Sequence, residues 1–565
     1  MENTGKIVAI YLFILLFAIV FIIGAIGALR GSDYDRDYFK TEAVPAFRGS
    51  IVSSDWRTLS LSERRFSVAF DGRDAENRPL IAKLVALFAF RSEAEITDLL
   101  NREARVILAK DLSVSDAKNL RQLSAELDRR GAFKPVLVQG AFIRRGLEVI
   151  EQQPHTRLYE YGSLLQPVLG YMHKFNGTGQ MGLERFYEAK LKAVKEGSFK
   201  APRDAGGNLI YNSQMRHTPA QNGLSLQLSV NAFLQYDLER TLDAARAEMD
   251  ASEIICAVME SSSGSLLALA TSARYDAGSI TNETIVNMRM NAAQYPFEPG
   301  SVMKPFIVAI LFDENLAGQY DLVRGYGGRF KIGSETINDL ERREWFSVED
   351  VVVYSSNIGA AQLAMRLSPY QLFDGLSAFG FAKPSGIDLP YEATGDLPGL
   401  HKLRGDIYRA TAGYGYGLRV TFIQLLKAYN VFNNGGVMVA PRLVEQFIGA
   451  NAPAIEAAEQ TRVISEASAM KIIQILRKTI VRGNAAVIDG IFTAGKTGTA
   501  HIARGGSYIN DYHNTFFGFA NGGDQKYTIG VLVIDPKKHH YASRTAAPIF
   551  LRVTNLLIKH NLLEK

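Results

Sequence analysis

Residues 489–501, DGIFTAGKTGTAH, admit two incompatible backbones, and the choice between them sets the fold class. Taken from Gly490, the run G-I-F-T-A-G-K-T has the spacing of a phosphate-cradling loop. Such a loop requires a strand, a flexible turn and then a helix whose N-terminal amides hold the phosphates. Taken as one extended run, the same residues are a strand that carries Lys496, Thr497, Gly498 and Thr499 in succession. Ile491, Phe492, Thr493 and Ala494, inside the would-be loop, suit a strand. Gly498 comes next but one after Lys496, and Gly505-Gly506 follows soon after, so no good helix starts there. Asp535, closing IGVLVID, imitates the acidic strand of a nucleotide-binding sheet, but a central strand that exits at Pro536 accounts for it as well. The strand reading is therefore preferred, and ATP binding is not expected.

At 565 residues the chain exceeds one ordinary core, so two or more domains are expected. Its formal charge of +5 is too small for a nucleic-acid surface to be the main theme, and no nucleic-acid partner is expected. The one cysteine, Cys256, lies in the apolar run EIICAVME and reads as a buried small hydrophobe. Between Lys6 and Arg30 stand 23 uncharged residues, enough for a helix to cross about 30 Å of hydrocarbon. A cleaved signal peptide is the rival, but its apolar core should span only about 7–15 residues. The expected division is a cytoplasmic tail over 1–6, a transmembrane anchor over 7–29, one domain over 30–220 and another over 221–565. The polar, Gly- and Asn-rich stretch at 200–223 marks the boundary. In the second part, 254–259 and 265–270 read as a hairpin, Thr421 with Gln424 as a capping box, and HNTFFGFA and YTIGVLVID as strands.

If Lys496 lies on a strand, its chemistry must be sought with partners elsewhere. S-x-x-K occurs three times, at Ser115 with Lys118, Ser301 with Lys304 and Ser468 with Lys471. The first and third open amphipathic helices, marked by Leu120, Leu123 and Leu127 and by Ile472, Leu476 and Ile480. The middle copy, EPGSVMKPF, follows a loop, and Pro305 confines the helix start to within a turn, which places Ser301 at a helix N-terminus. Spacing i, i+3 brings Lys304 to the same face, where a neutral amine can take the serine proton. A free lysine, with a pKa of about 10.4, stays protonated at neutral pH. Burial beside a second cation such as Lys496 lowers that value. YSSNIG adds a second hydroxyl, Ser355, and an amide, Asn357. S-x-N also occurs at Ser229 and Asn231, where it reads as a strand-to-helix junction capped by Asn231. The order 301, 355, 496 fills each role of serine acyl transfer once.

These motifs resemble those of class B penicillin-binding proteins, most of all the division-specific (septal) peptidoglycan D,D-transpeptidases. GLSLQLSVNAFLQ, SGSLLALATSARYD, EPGSVMKPF, GYGYGLRVTFIQLLKAYNVFNNGGVMVAPRLV, AGKTGTA and AAPIF follow the family in order from about Gly223 onward, and RGSIVSS and GQMGLERFYEAKL resemble its pedestal. His501 stands where the family often has Gln, and Asn484 where it often has Thr. Ser-Ser-Asn in the second motif resembles septal enzymes more than elongation-type ones.

The resemblance implies an α+β fold: a serine β-lactamase or D,D-transpeptidase-like domain, an antiparallel sheet between helical layers, on an elongated pedestal with an N-terminal transmembrane helix. It implies that Ser301 attacks D-Ala-D-Ala of a peptidoglycan stem peptide, with Lys304 as base and Ser355 as proton relay. Asn357 then holds the peptide amide, and Lys496, Thr497, Gly498 and Thr499 form the carboxylate site. Amides of Ser301 and Thr499 form the oxyanion hole. The implied partners are lipid-linked precursor, nascent glycan, β-lactam inhibitors, a membrane glycan polymerase and other division proteins. The implied location is the cytoplasmic (inner) membrane, single-pass, with the catalytic domain in the periplasm. No metal or cofactor is implied. An elongation-type enzyme, a β-lactam sensor and a β-lactamase-like protein are the alternatives. The last would need an activated water, and Glu392 lacks the E-x-x-x-N context for it.

Overall fold

The computed structural model describes residues 8, 10–26, 39–138, 141–152, 156–204, 209–483 and 486–565. The backbone packs as two compact units, each assembled from distant segments: residues 1–49 with 192–223, and 50–191 with 224–565. Strand pairing joins the distant segments of each unit. In the first unit Phe39–Val44 pairs antiparallel with Gly197–Pro202, which pairs with Arg216–Thr218. In the second, Ile51–Val52 pairs in parallel with Ser225–Leu228.

Residues 10–26 are helical and expose their large apolar side chains, whereas 7, 9 and 27–29 of the expected anchor lie outside the described residues. Among the described residues no helix is long and apolar enough to cross a membrane. Those helical residues 10–26 rise only about 25 Å, short of the roughly 30 Å of a hydrocarbon core.

The second unit is built on a five-stranded antiparallel sheet. Its strands are β1 (Glu253–Glu260), β2 (Leu266–Thr271), β3 (Phe492–Arg504), β4 (Ser507–Gly522) and β5 (Gln525–Ile534), in the order β2-β1-β5-β4-β3. Helices cover both faces, so the strands are apolar on both sides. Along β1, Ile254, Cys256 and Val258 join one core with α1 (Ala232–Met249) and α7 (Ala546–Lys559). Ile255, Ala257 and Met259 join the other, which holds α2 (Lys304–Asp313), α3 (Val348–Val353), α4 (Asn357–Arg366), α5 (Phe422–Asn433) and α6 (Glu466–Gly483). That alternation is the two-residue period of a strand expressed in burial. Asn231 caps α1 through Leu234 N, and the Thr421–Gln424 capping box opens α5. Burial holds the Cys256 thiol well above its usual range, as befits an inert core residue.

Helix α2 is apolar all round and buried from Lys304 to Phe312, the pattern of a central core helix. Residues 66–138 and 141–151 form a small layered lobe. Strands Phe66–Asp71, Arg105–Leu112 and Glu148–Glu151 back helices Arg78–Ala89 and Val114–Arg129 over a core of Phe66, Val85, Leu120 and Phe133.

Beside this lobe, Arg157 Nε meets Glu184 Oε1 at 2.7 Å with the side chains only 4% and 0% exposed, and Ser60 Oγ donates to the same oxygen. Removing one partner of a buried pair typically costs about 3–5 kcal/mol. Glu184→Ala is therefore expected to lower the denaturant midpoint of the protein by a corresponding amount. An unchanged midpoint would show that the pair adds nothing.

Candidate active site

Ser301 sits on a single 3₁₀ turn, Gly300–Met303, that leads into α2. The turn lies one step before the α-helix expected from the sequence. It has a chemical consequence, because three residues per turn eclipse positions i and i+3. Lys304 therefore stands in line with Ser301, its Nζ 2.8 Å from Ser301 Oγ. Gly300 makes the bend at φ +63°, and its amide donates to Gly415 O.

Lys304 Nζ has three further neighbours: Ser355 O at 2.8 Å, Asn357 Oδ1 at 2.8 Å and Ser355 Oγ at 3.2 Å. The carbonyl and amide oxygens can only accept, so they take two protons from the amine. Asn357 Nδ2 donates to Asn338 O at 3.3 Å, which fixes the amide's orientation. A neutral amine has two protons and one lone pair. With both protons committed, the lone pair is left for the Ser301 hydroxyl, which is the arrangement of a base beside its nucleophile.

Ser355 links α3 to α4 in the left-handed region, φ +60°, which is uncommon for a residue other than glycine and marks a segment held by its surroundings. Its Oγ lies 3.0 Å from Lys496 Nζ, which also donates to Thr497 O at 2.9 Å. Lys496, Thr497, Gly498 and Thr499 lie on β3, which runs unbroken through the would-be phosphate loop. Gly498 is where that strand touches the Ser301 turn. A Cβ there would lie 2.4 Å from Thr515 Oγ1 and 3.0 Å from both Pro299 O and Val302 Cγ1. Thr497 and Thr499 alternate with buried Lys496, Gly498 and Ala500, and Thr499 Oγ1 accepts from Ala542 N.

Both lysines are buried. Burial, then the charge of Lys496, pushes Lys304 well below the ordinary amine value, with Asp339 opposing. Burial lowers Lys496 to about 7. Of the pair, Lys304 is therefore the one driven to give up its proton first and Lys496 the one that keeps it to higher pH. A cleft of about 590 Å³ opens beside this cluster, lined among others by Asn357, Tyr414, Tyr416, His501 and Tyr508.

The structure thus brings together Ser301, Lys304, Ser355, Asn357 and Lys496, with Thr497, Gly498 and Thr499 beside them. Elsewhere, Ser115 and Ser468 lie on the helices Val114–Arg129 and α6, His539 and His540 are exposed, and Glu392 accepts from Ser385 N and Gly386 N within its own loop. Asn484 lies outside the described residues. Asp339, the left-handed Ser355 and the tyrosine-lined cleft have no short-range sequence signal.

Comparison with known proteins matches residues 254–555, more than half of the chain, to the Penicillin binding protein transpeptidase domain. Residues 43–228 match the Penicillin-binding Protein dimerisation domain. The chain is 28% identical over 549 residues to the penicillin-binding protein PbpB of Mycolicibacterium smegmatis, covering 92% of this chain and 84% of that one. It is 26% identical over 527 residues to a protein of Neisseria gonorrhoeae named "Probable peptidoglycan D,D-transpeptidase PenA", covering 92% and 85%. In fold it is similar to penicillin-binding protein 3 of Mycobacterium tuberculosis complexed with aztreonam, with TM-score 0.67 and 22% identity over 93% of this chain and 98% of that one.

The close approach at Gly498 is testable without an assay of function. Overpacking typically costs about 1–3 kcal/mol. Gly498→Ala is expected to lower the thermal midpoint accordingly, and adding Thr515→Ala, which removes the nearest atom, to restore part of the loss. A Gly498→Ala protein as stable as the wild type would mean that strand and turn are not held in contact.

Proposed function

The chain belongs to the penicillin-binding proteins, as a class B member with a transpeptidase domain, and is a serine-type peptidoglycan D,D-transpeptidase; from that premise we propose the role of each residue and the setting in which it works. Ser301 Oγ attacks the carbonyl of the penultimate D-Ala of a stem peptide while Lys304 takes its proton. The peptide C–N bond breaks, and Ser355 passes a proton to the departing D-Ala amine. The amine of a neighbouring stem peptide then attacks the ester, restores Ser301 and closes the cross-link. Asn357 holds the donor peptide's amide. Lys496, Thr497 and Thr499 hold the terminal carboxylate, Gly498 keeps the strand against the Ser301 turn, and the amides of Ser301 and Thr499 receive the oxyanion.

The observation that carries this assignment is the unbroken run from Ser301 through Lys304 and Ser355 to Lys496, each step between 2.8 and 3.2 Å. A protonated Lys496 beside Ser355 makes that hydroxyl a better proton donor to the leaving group. The same proton offers a cation to the substrate carboxylate.

The apolar run at 7–29 supports an anchor in the cytoplasmic membrane with the catalytic unit in the periplasm, where lipid-linked precursor and nascent glycan meet. The Ser-Ser-Asn second motif supports septal rather than elongation work. A membrane glycan polymerase and other division proteins are the partners that such a setting calls for, and β-lactams, which mimic D-Ala-D-Ala, the inhibitors.

Penicillin is expected to add one covalent mass, on the peptide that contains Ser301. Label on the peptides of Ser115 or Ser468 would overturn the assignment. Lys304→Met, similar in volume but with no basic atom to take the proton, should slow acylation by about 10²–10⁴. Ser355→Ala should show a comparable defect, and the double variant much less than the product of the two. Acylation by Lys304→Met at the wild-type rate would assign the base to another group.

A further inference from the structure

Asp339 is one residue beyond the strand Glu335–Asn338, which forms a hairpin with Arg329–Ile332, and its own amide is fixed to Gly328 O at 3.1 Å. Its side chain is directed at the second motif. Oδ1 accepts from Asn357 N at 2.6 Å and from Ile358 N at 3.2 Å, while Oδ2 accepts from Ser356 Oγ. Ser356 Oγ in turn accepts from Gly359 N at 2.8 Å. The first three amides of α4, which a helix cannot satisfy itself, thus all end on Asp339 or on a hydroxyl that Asp339 holds. Its negative charge suits the positive end of that helix.

The loop around Asp339 grips the motif at further points. Asn338 O takes the Asn357 side-chain amide. Arg343 stacks 3.7 Å from the centre of the Tyr354 ring, and Arg482, paired with Glu341, lies 4.1 Å from the same ring. Ser355, between Tyr354 and Ser356, is the residue in the left-handed region. Both flanks of that turn are therefore clamped, and a turn that delivers a carbonyl, a hydroxyl and an amide oxygen to Lys304 needs such a clamp.

We propose that Asp339 is a positioning residue of the acyl-transfer reaction: it locks the Ser355–Asn357 turn around the Lys304 amine and is the anion that acts on that amine. The proposal rests on the reading of Ser301 as nucleophile. Two charged side chains act on Lys304, Lys496 from β3 and Asp339, with opposite signs. Removing the anion leaves only the cation, so Lys304 loses its proton at lower pH. The acid limb of acylation, which rises as Lys304 becomes neutral, must then move to lower pH.

The test measures acylation by a fluorescent penicillin against pH for the full chain and for Asp339→Asn and Asp339→Glu, with thermal midpoints. Asp339→Asn keeps the shape and loses the charge. Its plateau rate is expected to fall about 10- to 100-fold, the worth of a charge-assisted hydrogen bond, and its acid limb to shift to lower pH. Asp339→Glu, which restores the charge on a longer arm, should return the limb towards its original pH even if the plateau stays low. A purely structural role lowers the plateau and leaves the limb in place, which overturns the electrostatic part. Wild-type rate and limb in Asp339→Asn overturn the whole. If Asp339→Asn melts early, both limbs are measured at a temperature below its midpoint, where its limb still decides. Absence of Ser301 labelling in the unaltered protein would instead refute the functional reading beneath the proposal.

Discussion

The structure of the site turns on an amine buried where a charge is expensive. Lys304 lies at the head of an apolar helix, fully enclosed, with two acceptor-only oxygens and two hydroxyls around it. Burial of an unpaired ammonium costs more than the loss of its proton, so the group is driven to neutrality. Neutrality leaves one lone pair, and of the two hydroxyls beside it Ser301 Oγ is the nearer, 2.8 Å against 3.2 Å for Ser355 Oγ. Lys496 strengthens the effect from one side and Asp339 moderates it from the other. On the roles proposed above, the pair divides the work: Lys304, pushed further down, is the base, and Lys496 is the cation.

The rest of the second unit brings three segments distant in sequence to one point. The edge strand β3 carries Lys496 and, through the missing side chain of Gly498, lies against the 3₁₀ turn that bears Ser301. The junction of α3 and α4 brings Ser355 and Asn357, and α6 braces both, since Arg477 holds Thr493 of β3 while Lys478 pairs with Glu349 of α3. The two cores on either side of the sheet keep these elements from shifting independently, because close-packed interiors transmit strain rather than absorb it. A site in which four groups must meet within hydrogen-bond range requires that rigidity.

What was legible in the sequence was what local spacing determines. Ser301 and Lys304 are three residues apart, the capping box at Thr421 and Gln424 is a short-range pattern, and the hairpin of β1 and β2 shows in two apolar runs joined by a Ser/Gly turn. The choice of strand over phosphate loop at Lys496 followed from residue propensity. Less legible were features made by distant partners. Asp339 reaches Ser356, Asn357 and Ile358 across the intervening strand Trp345–Ser347 and helix α3. The left-handed Ser355 is imposed by its clamps and not by its own preference. Strand pairs between distant segments, 39–44 with 197–202 and 51–52 with 225–228, also lie beyond what local spacing shows. The 3₁₀ geometry at Ser301 was also out of reach, since a Pro at the second position of α2 is compatible with either kind of helical turn before it.

The central claim is that Lys304 is neutral and Lys496 carries the pair's proton near neutral pH. Titration of lysine side-chain signals by NMR, in protein labelled at the lysine ε-carbon and assigned through Lys304→Met and Lys496→Met, tests it most directly. The account predicts that Lys304 is already in its neutral form at neutral pH, that Lys496 titrates at about 7, and that Lys496→Met raises the Lys304 value. Two independent amines that both lose their protons near the ordinary lysine value of about 10.4 would contradict it.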